Sequence, residues 1–238
     1  MSLLDAVLTT GLLPSDEATQ AQKKRYSELL SSHLAVEVAE GLRAVGFPNV
    51  KPLRGGPGEK AFQGGLGPKK VDVSYADEQH GLLLAVSIKS INFAPFSKNL
   101  KNRFADLCTE AITLHMRFPY SVVCALFAFP AASGEDVTEG RVISTFQRAG
   151  HLFATISGRD EYTAPGEKFE NITMLLFQPV VTDGPQPWVR LVDAETQSEL
   201  TEPVYFSVLR EIYNHRNPHA TISEEDNSND DDQWVVLP

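Results

Sequence analysis

Apolar residues recur along this chain in two rhythms, one of period three to four and one of period two or less. Between 15 and 45, Leu34, Val38, Leu42 and Val45 fall at helical spacing and Gly46 follows as a stop, which predicts one long helix. Between 98 and 117, Leu100, Phe104, Leu107, Ala111 and Leu114 repeat in the same way and predict a second. Residues 71–75 and 82–91, separated by the polar run ADEQHG, predict an antiparallel hairpin, and YSVVCALFAF predicts a buried strand closed by Pro130. Further on, VISTFQRAGHLFATI predicts a helix, NITMLLFQPVV a strand, and 204–215 a last helix. Residues 1–15 form a short apolar segment ending at Pro14, a helix expected to dock on the body or on a neighbouring subunit. The Gly- and Pro-rich stretch 47–68 predicts an exposed, mobile loop, made basic by Lys51, Arg54 and Lys60. The central order is helix, hairpin, helix, strand, without internal repeats.

Composition changes this picture mainly at the C-terminus. The 238 residues are 42% hydrophobic, enough for a sizeable core, and carry a formal charge of −10. Six acids, Glu224, Glu225, Asp226, Asp230, Asp231 and Asp232, fall among the last eighteen residues, so the rest of the chain is only mildly acidic. Bulk electrostatic coating of nucleic acid is therefore excluded, while local basic patches can still meet phosphate. The pattern divides the chain into an N-terminal segment (1–20), a main domain (21–218) and an acidic tail (219–238) expected to be disordered. Cys108 and Cys124 sit in apolar runs and predict buried free thiols, not a disulfide. With no basic leader and no apolar run of membrane-spanning length, the expectation is a soluble, cytoplasmic protein.

The candidate chemistry lies in the hairpin. The apolar run from Leu82 to Ile88 ends in Lys89, and a lysine beside buried residues is costly unless paired. By strand alternation Asp72 points away from Val71 and Val73, and Ser87 and Lys89 share a face, so the hairpin can bring Asp72 near both. From the pattern alone this is either a cross-strand ion pair of little worth or the polar floor of a site. Other chemistries are absent. There is no G-x-S-x-G; the cysteines lie in apolar surroundings; and His80, His115 and His151 lack ligand-like spacing. RGGPGEK lacks both the preceding strand and the following Ser or Thr of a phosphate loop.

Asp72 followed by Ser87-Ile88-Lys89 fifteen residues later, in that order of elements, resembles the PD-(D/E)XK (restriction-endonuclease-like) nuclease superfamily over about residues 25–130. The resemblance implies an α/β fold whose mixed central sheet is flanked by helices, with a helix, a three-stranded meander, a helix and a further strand as its core. It implies a divalent metal, Mg²⁺ or Mn²⁺, held by Asp72, a second acid and the Ile88 carbonyl, with Lys89 steadying the attacking water. Ser87 stands where that second acid is expected. The first long helix offers Glu37 or Glu40 instead, and Glu37, beside the Leu34/Val38 stripe, is preferred. The implied activity is a metal-dependent DNA endonuclease of restriction or phage-defence type, with Lys51, Arg54, Lys60, Lys98 and Arg103 meeting DNA. A double-strand cutter would be a dimer or larger. Two other readings stand beside it: a catalytically impaired nuclease fold serving as a DNA-binding or assembly subunit, and a partner protein whose acidic tail imitates nucleic acid.

Overall fold

The computed structural model describes residues 2–137 and 139–223. The expected disorder of the acidic tail falls, from 224 onward, outside the described residues.

Helix α1 (Leu3–Thr10) opens with a capping box between Ser2 and Asp5, and α2 (Gln20–Ala44) with another between Thr19 and Gln22. That second box starts the long helix five residues later than the apolar pattern implies. Strands β1 (Lys60–Gly64) and β2 (Gly67–Val71) form a two-stranded hairpin that begins inside the stretch expected to be a mobile loop and runs past its end. The prediction fails there because the strands are short and mostly exposed, and burial is the signal that periodicity reads. Next come β3 (Val73–Asp77), β4 (Gly81–Ser90), α3 (Phe96–His115) and β5 (Val122–Pro130). The rest of the chain supplies a 3₁₀ turn (Ala131–Gly134), α4 (Thr145–Ala154), β6 (Asn171–Gln178), β7 (Trp188–Asp193), β8 (Glu199–Leu200) and α5 (Glu202–Arg216). Strands β7 and β8 have no counterpart in the sequence expectations.

One mixed sheet of six strands runs in the order β3-β4-β5-β6-β7-β8. β4, β5 and β6 are mutually parallel, and the remaining pairs are antiparallel. The molecule is thus mixed α/β, with helices on both faces of the sheet. Along β5 the side chains alternate between two cores. Val122, Cys124, Leu126 and Ala128 pack toward α1, α2 and α5, whereas Val123, Ala125, Phe127 and Phe129 pack with residues of α3 and α4. Burial on both faces explains the unbroken apolar run VVCALFAF.

The feature that matters for the site is the path from β2 to β3. A single residue, Asp72, separates them; Val71 pairs with Lys60 in the hairpin, and Val73 pairs with Val86 in the main sheet. The chain therefore runs helix, four strands as two successive antiparallel hairpins (β1-β2 in the small sheet, β3-β4 in the main one), helix, parallel strand. Among the described residues no helix is long and apolar enough to cross a membrane.

Candidate functional site

The break at Asp72 and the carboxyl end of β4 meet at the floor of a groove of about 850 Å³. One wall is α2, through Ser27, Ser31 and Ser32; the other is the loop carrying Leu53, Gly55 and Gly56; Asp72, Ile88 and Lys89 form the floor. In an α/β sheet this end of the parallel strands is where ligands bind, because backbone ends and loops converge there.

Asp72 is fixed through one oxygen. Its Oδ2 accepts the Ile88 N–H at 2.7 Å and lies 3.6 Å from Lys89 Nζ. Oδ1 makes no hydrogen bond among the described residues. Lys89 leans further toward α3, where its Nζ is 3.2 Å from Glu110 Oε2, and Lys69 Nζ of β2 approaches the same oxygen at 2.8 Å. Two lysines and two acids thus form one charge-balanced cluster. Glu110 is its most deeply buried member, with 1% exposure.

The environment sorts these groups. Burial pushes the Glu110 carboxyl up, but Lys89 and Lys69 outweigh it and hold the group below its ordinary value. Burial pulls Lys89 down, yet Glu110 and Asp72 outweigh that and keep its ammonium charged. For Asp72 burial wins: the carboxyl is raised in spite of Lys89 and the Ile88 N–H. A carboxylate reluctant to stay charged gains from a cation placed beside it.

Several expected site residues lie elsewhere. Ser87 is 1% exposed and faces Glu110 across the sheet–α3 layer; it helps to hold that carboxyl low but makes no hydrogen bond of ordinary geometry, and it does not line the groove. Glu37 lies about 80–140° around α2 from the groove-lining serines, at roughly 100° per residue, and does not line the groove. There it is nearly buried and pairs with Arg54 at 2.8 Å. Glu40 pairs with Arg43 at 3.0 Å and also lies outside the groove. Among the basic residues, Lys51 exchanges backbone hydrogen bonds with Ser74, Arg54 is held by Glu37, and Lys60 sits 5.2 Å over the Phe62 ring; none lines the groove. Arg103 does, and Lys98 lines an adjoining cavity.

For a divalent cation the fit is of the open kind. Asp72 lies on the floor, Glu28 and Glu59 rim the groove, and the remaining ligands would be water and phosphate oxygens, which suits Mg²⁺ better than a closed protein cage. Among the described residues no group of three His, Cys, Asp or Glu is gathered to hold a metal.

Glu110 is not among the candidate residues that the sequence pattern brings forward. A signal was there: Glu110 falls within the Leu107, Ala111, Leu114 stripe, where an acid must be buried with the core. A second buried cluster was missed as well. Glu170 Oε1 accepts from Arg159 at 2.7 Å and Arg216 at 3.0 Å, while Oε2 accepts the Val123 N–H at 2.8 Å and lies 3.4 Å from His115 Nε2. It sits at the amino end of β5 and β6, away from the groove, and ties α5 to the sheet. Comparison with protein-family models, curated proteins and solved structures finds no match to this chain.

Proposed function

We propose that this protein is a Mg²⁺-dependent DNA endonuclease, with Asp72 and Lys89 meeting the scissile phosphodiester. The observation that carries the reading is the convergence of these two residues, 3.6 Å apart, on the floor of the groove at the carboxyl end of β4. The order of α2, antiparallel strands, α3 and parallel β5 is in keeping with the PD-(D/E)XK resemblance, although the strands form two hairpins in separate sheets and not one three-stranded meander.

In this reading each residue has a limited task. Asp72, whose Oδ2 is fixed by the Ile88 N–H, would hold the cation. The bound metal would neutralise charge developing on the phosphoryl oxygens. Lys89, kept charged by Glu110 and Asp72, donates hydrogen bonds and orients the attacking water; it does not abstract a proton. The serines of α2 and the glycine-rich wall let a sugar–phosphate backbone approach closely.

A second reading, a nuclease fold with impaired catalysis that acts as a DNA-binding or assembly subunit, is favoured by one observation. Glu110 is the acid closest to Lys89, yet two ammoniums occupy it and Ser87 is buried beside it, which leaves Asp72 as the floor's single carboxylate. Incubating the purified protein with plasmid DNA in Mg²⁺, Mn²⁺ or chelator separates the two. Nicking in Mg²⁺ that the chelator abolishes, and that Asp72→Asn or Lys89→Met lowers at least about a hundredfold, is the expected result. Binding without cleavage in either metal would assign the second reading.

A further inference from the structure

We infer that the bound strand runs from the Asp72/Lys89 floor along the first two-thirds of α2, and that a second lobe, whose charged lining is wholly cationic, grips its next phosphates. The inference rests on the phosphodiester reading of that floor. A cavity of about 460 Å³ adjoins the main groove and shares Lys24, Ser27, Ser90 and Arg103 with it. Four cations line it, Lys23, Lys24, Lys98 and Arg103, and no Asp or Glu does. In a chain of net charge −10 a cavity of this composition is a local inversion of sign.

These cations are only lightly engaged. Lys98 has no carboxylate partner among the described residues. Lys23 Nζ donates to the Asp16 carbonyl at 2.7 Å and lies 5.6 Å over the Phe93 ring, so it pairs with no acid there. Lys24 meets Glu28 at 3.6 Å with both side chains largely exposed, and Arg103 meets Asp106 at 3.3 Å. The amino end of α3 opens on the same lobe, and its N-cap, Pro95, supplies no side-chain cap, so the first-turn N–H donors add to the positive field.

The junction between the lobes is fixed and polar. Asn92, 5% exposed, donates through Nδ2 to Ser27 Oγ at 2.9 Å and Ser90 Oγ at 2.8 Å, tying α2 to the end of β4. Together the two cavities follow α2 from Gln20 to Val36, a path of about 24 Å at 1.5 Å per residue. That span matches roughly seven nucleotides of one strand at 3.4 Å each. Hydroxyls, amides and cations contact phosphates without reading bases, so the ligand is the sugar–phosphate backbone of a nucleic-acid strand, held without sequence preference.

The test is fluorescence anisotropy of a labelled 20-nucleotide single-stranded DNA with the full chain in chelator, over a series of salt concentrations. Lys23→Ala/Lys98→Ala should weaken binding about tenfold for any base sequence and flatten the log–log salt slope by roughly 1.4, two phosphate contacts at about 0.7 each. Arg141→Ala, an exposed cation elsewhere, should leave the slope unchanged. If the lobe variant binds like Arg141→Ala, or if the wild type binds no strand, the lobe is overturned. Cleavage of plasmid by the wild type alongside lobe-indifferent binding removes the lobe alone. Lobe-dependent binding by a wild type that cuts in no metal upholds the lobe and removes catalysis alone.

Discussion

Glu110→Leu deletes the carboxylate that two ammoniums share, and the two lose it unequally. Lys69, with its side chain 32% exposed, can turn to water. Lys89, 19% exposed, keeps only Asp72 at 3.6 Å. Removing one partner of a buried pair costs about 3–5 kcal/mol, and partial access to solvent puts this case near the lower end, about 3 kcal/mol. For a chain of this length that lowers Tm by roughly 6–12 °C. Lys89→Met alone should cost only about 1 kcal/mol, because Lys69, 2.8 Å from Glu110, still neutralises it. The double variant takes both charges out of the layer and leaves Lys69 to solvent; replacing a buried pair by apolar groups of like volume is nearly neutral, so it too should lie within about 1 kcal/mol of the wild type. The cycle then gives a coupling of about 3 kcal/mol. Urea unfolding followed by circular dichroism at neutral pH measures all four corners. Additive losses in the double variant, or a Glu110→Leu protein within about 0.5 kcal/mol of the wild type, would refute the reasoning.

Three further outcomes follow from the same geometry. Ser87→Glu should not restore a metal ligand: it buries a second carboxylate against Glu110 and should lower stability by about 3 kcal/mol, and an unchanged Tm would show that this face of β4 opens on the groove. Lys89 and Lys69 hold Glu110 low, so its contribution is complete above the unfolded value of about 4.3 and is lost as pH falls through the lower folded value. The difference in unfolding free energy between wild type and Glu110→Gln should therefore shrink between about pH 5 and pH 3; a constant difference would count against the pairing. Glu170→Ala strands two nearly buried guanidiniums, Arg159 and Arg216, and should cost about 3–5 kcal/mol by denaturant titration.

The sequence yields those parts of the fold whose burial follows a period. The stripes of α2 and α3 and the two-faced run of β5 are legible because each apolar residue there meets a core. Strand β1 hides in a Gly- and Pro-rich stretch, and β7 begins with three residues that are not buried, so neither offers a period to read. For the site, alternation brings out the Asp72–Lys89 meeting, because Asp72 directly precedes β3 and Lys89 lies near the end of β4, its hairpin partner. Alternation cannot tell which helix closes over Ser87 and Lys89. That is decided by the crossover to α3, and Glu110, not Glu37, becomes the carboxylate beside the lysine.

The partner change at Asp72 makes the small hairpin a gauge for the layer beneath it. At its tip the Gly65 N–H donates to the Thr113 carbonyl at 2.8 Å, and a Cβ on Gly64 would stand 2.5 Å from Thr113 Cγ2, so the turn rests directly on α3. At its base the chain is pinned where Asp72 takes the Ile88 N–H. Between these two anchors Lys69 of β2 reaches Glu110 at 2.8 Å, so the hairpin bears on the charged cluster as well as on α3. A residue inserted at the Gly65–Leu66 turn would therefore act at a distance: it would lift α3 or pull on Asp72, and the length of an outlying hairpin becomes a tolerance on the geometry of the groove floor.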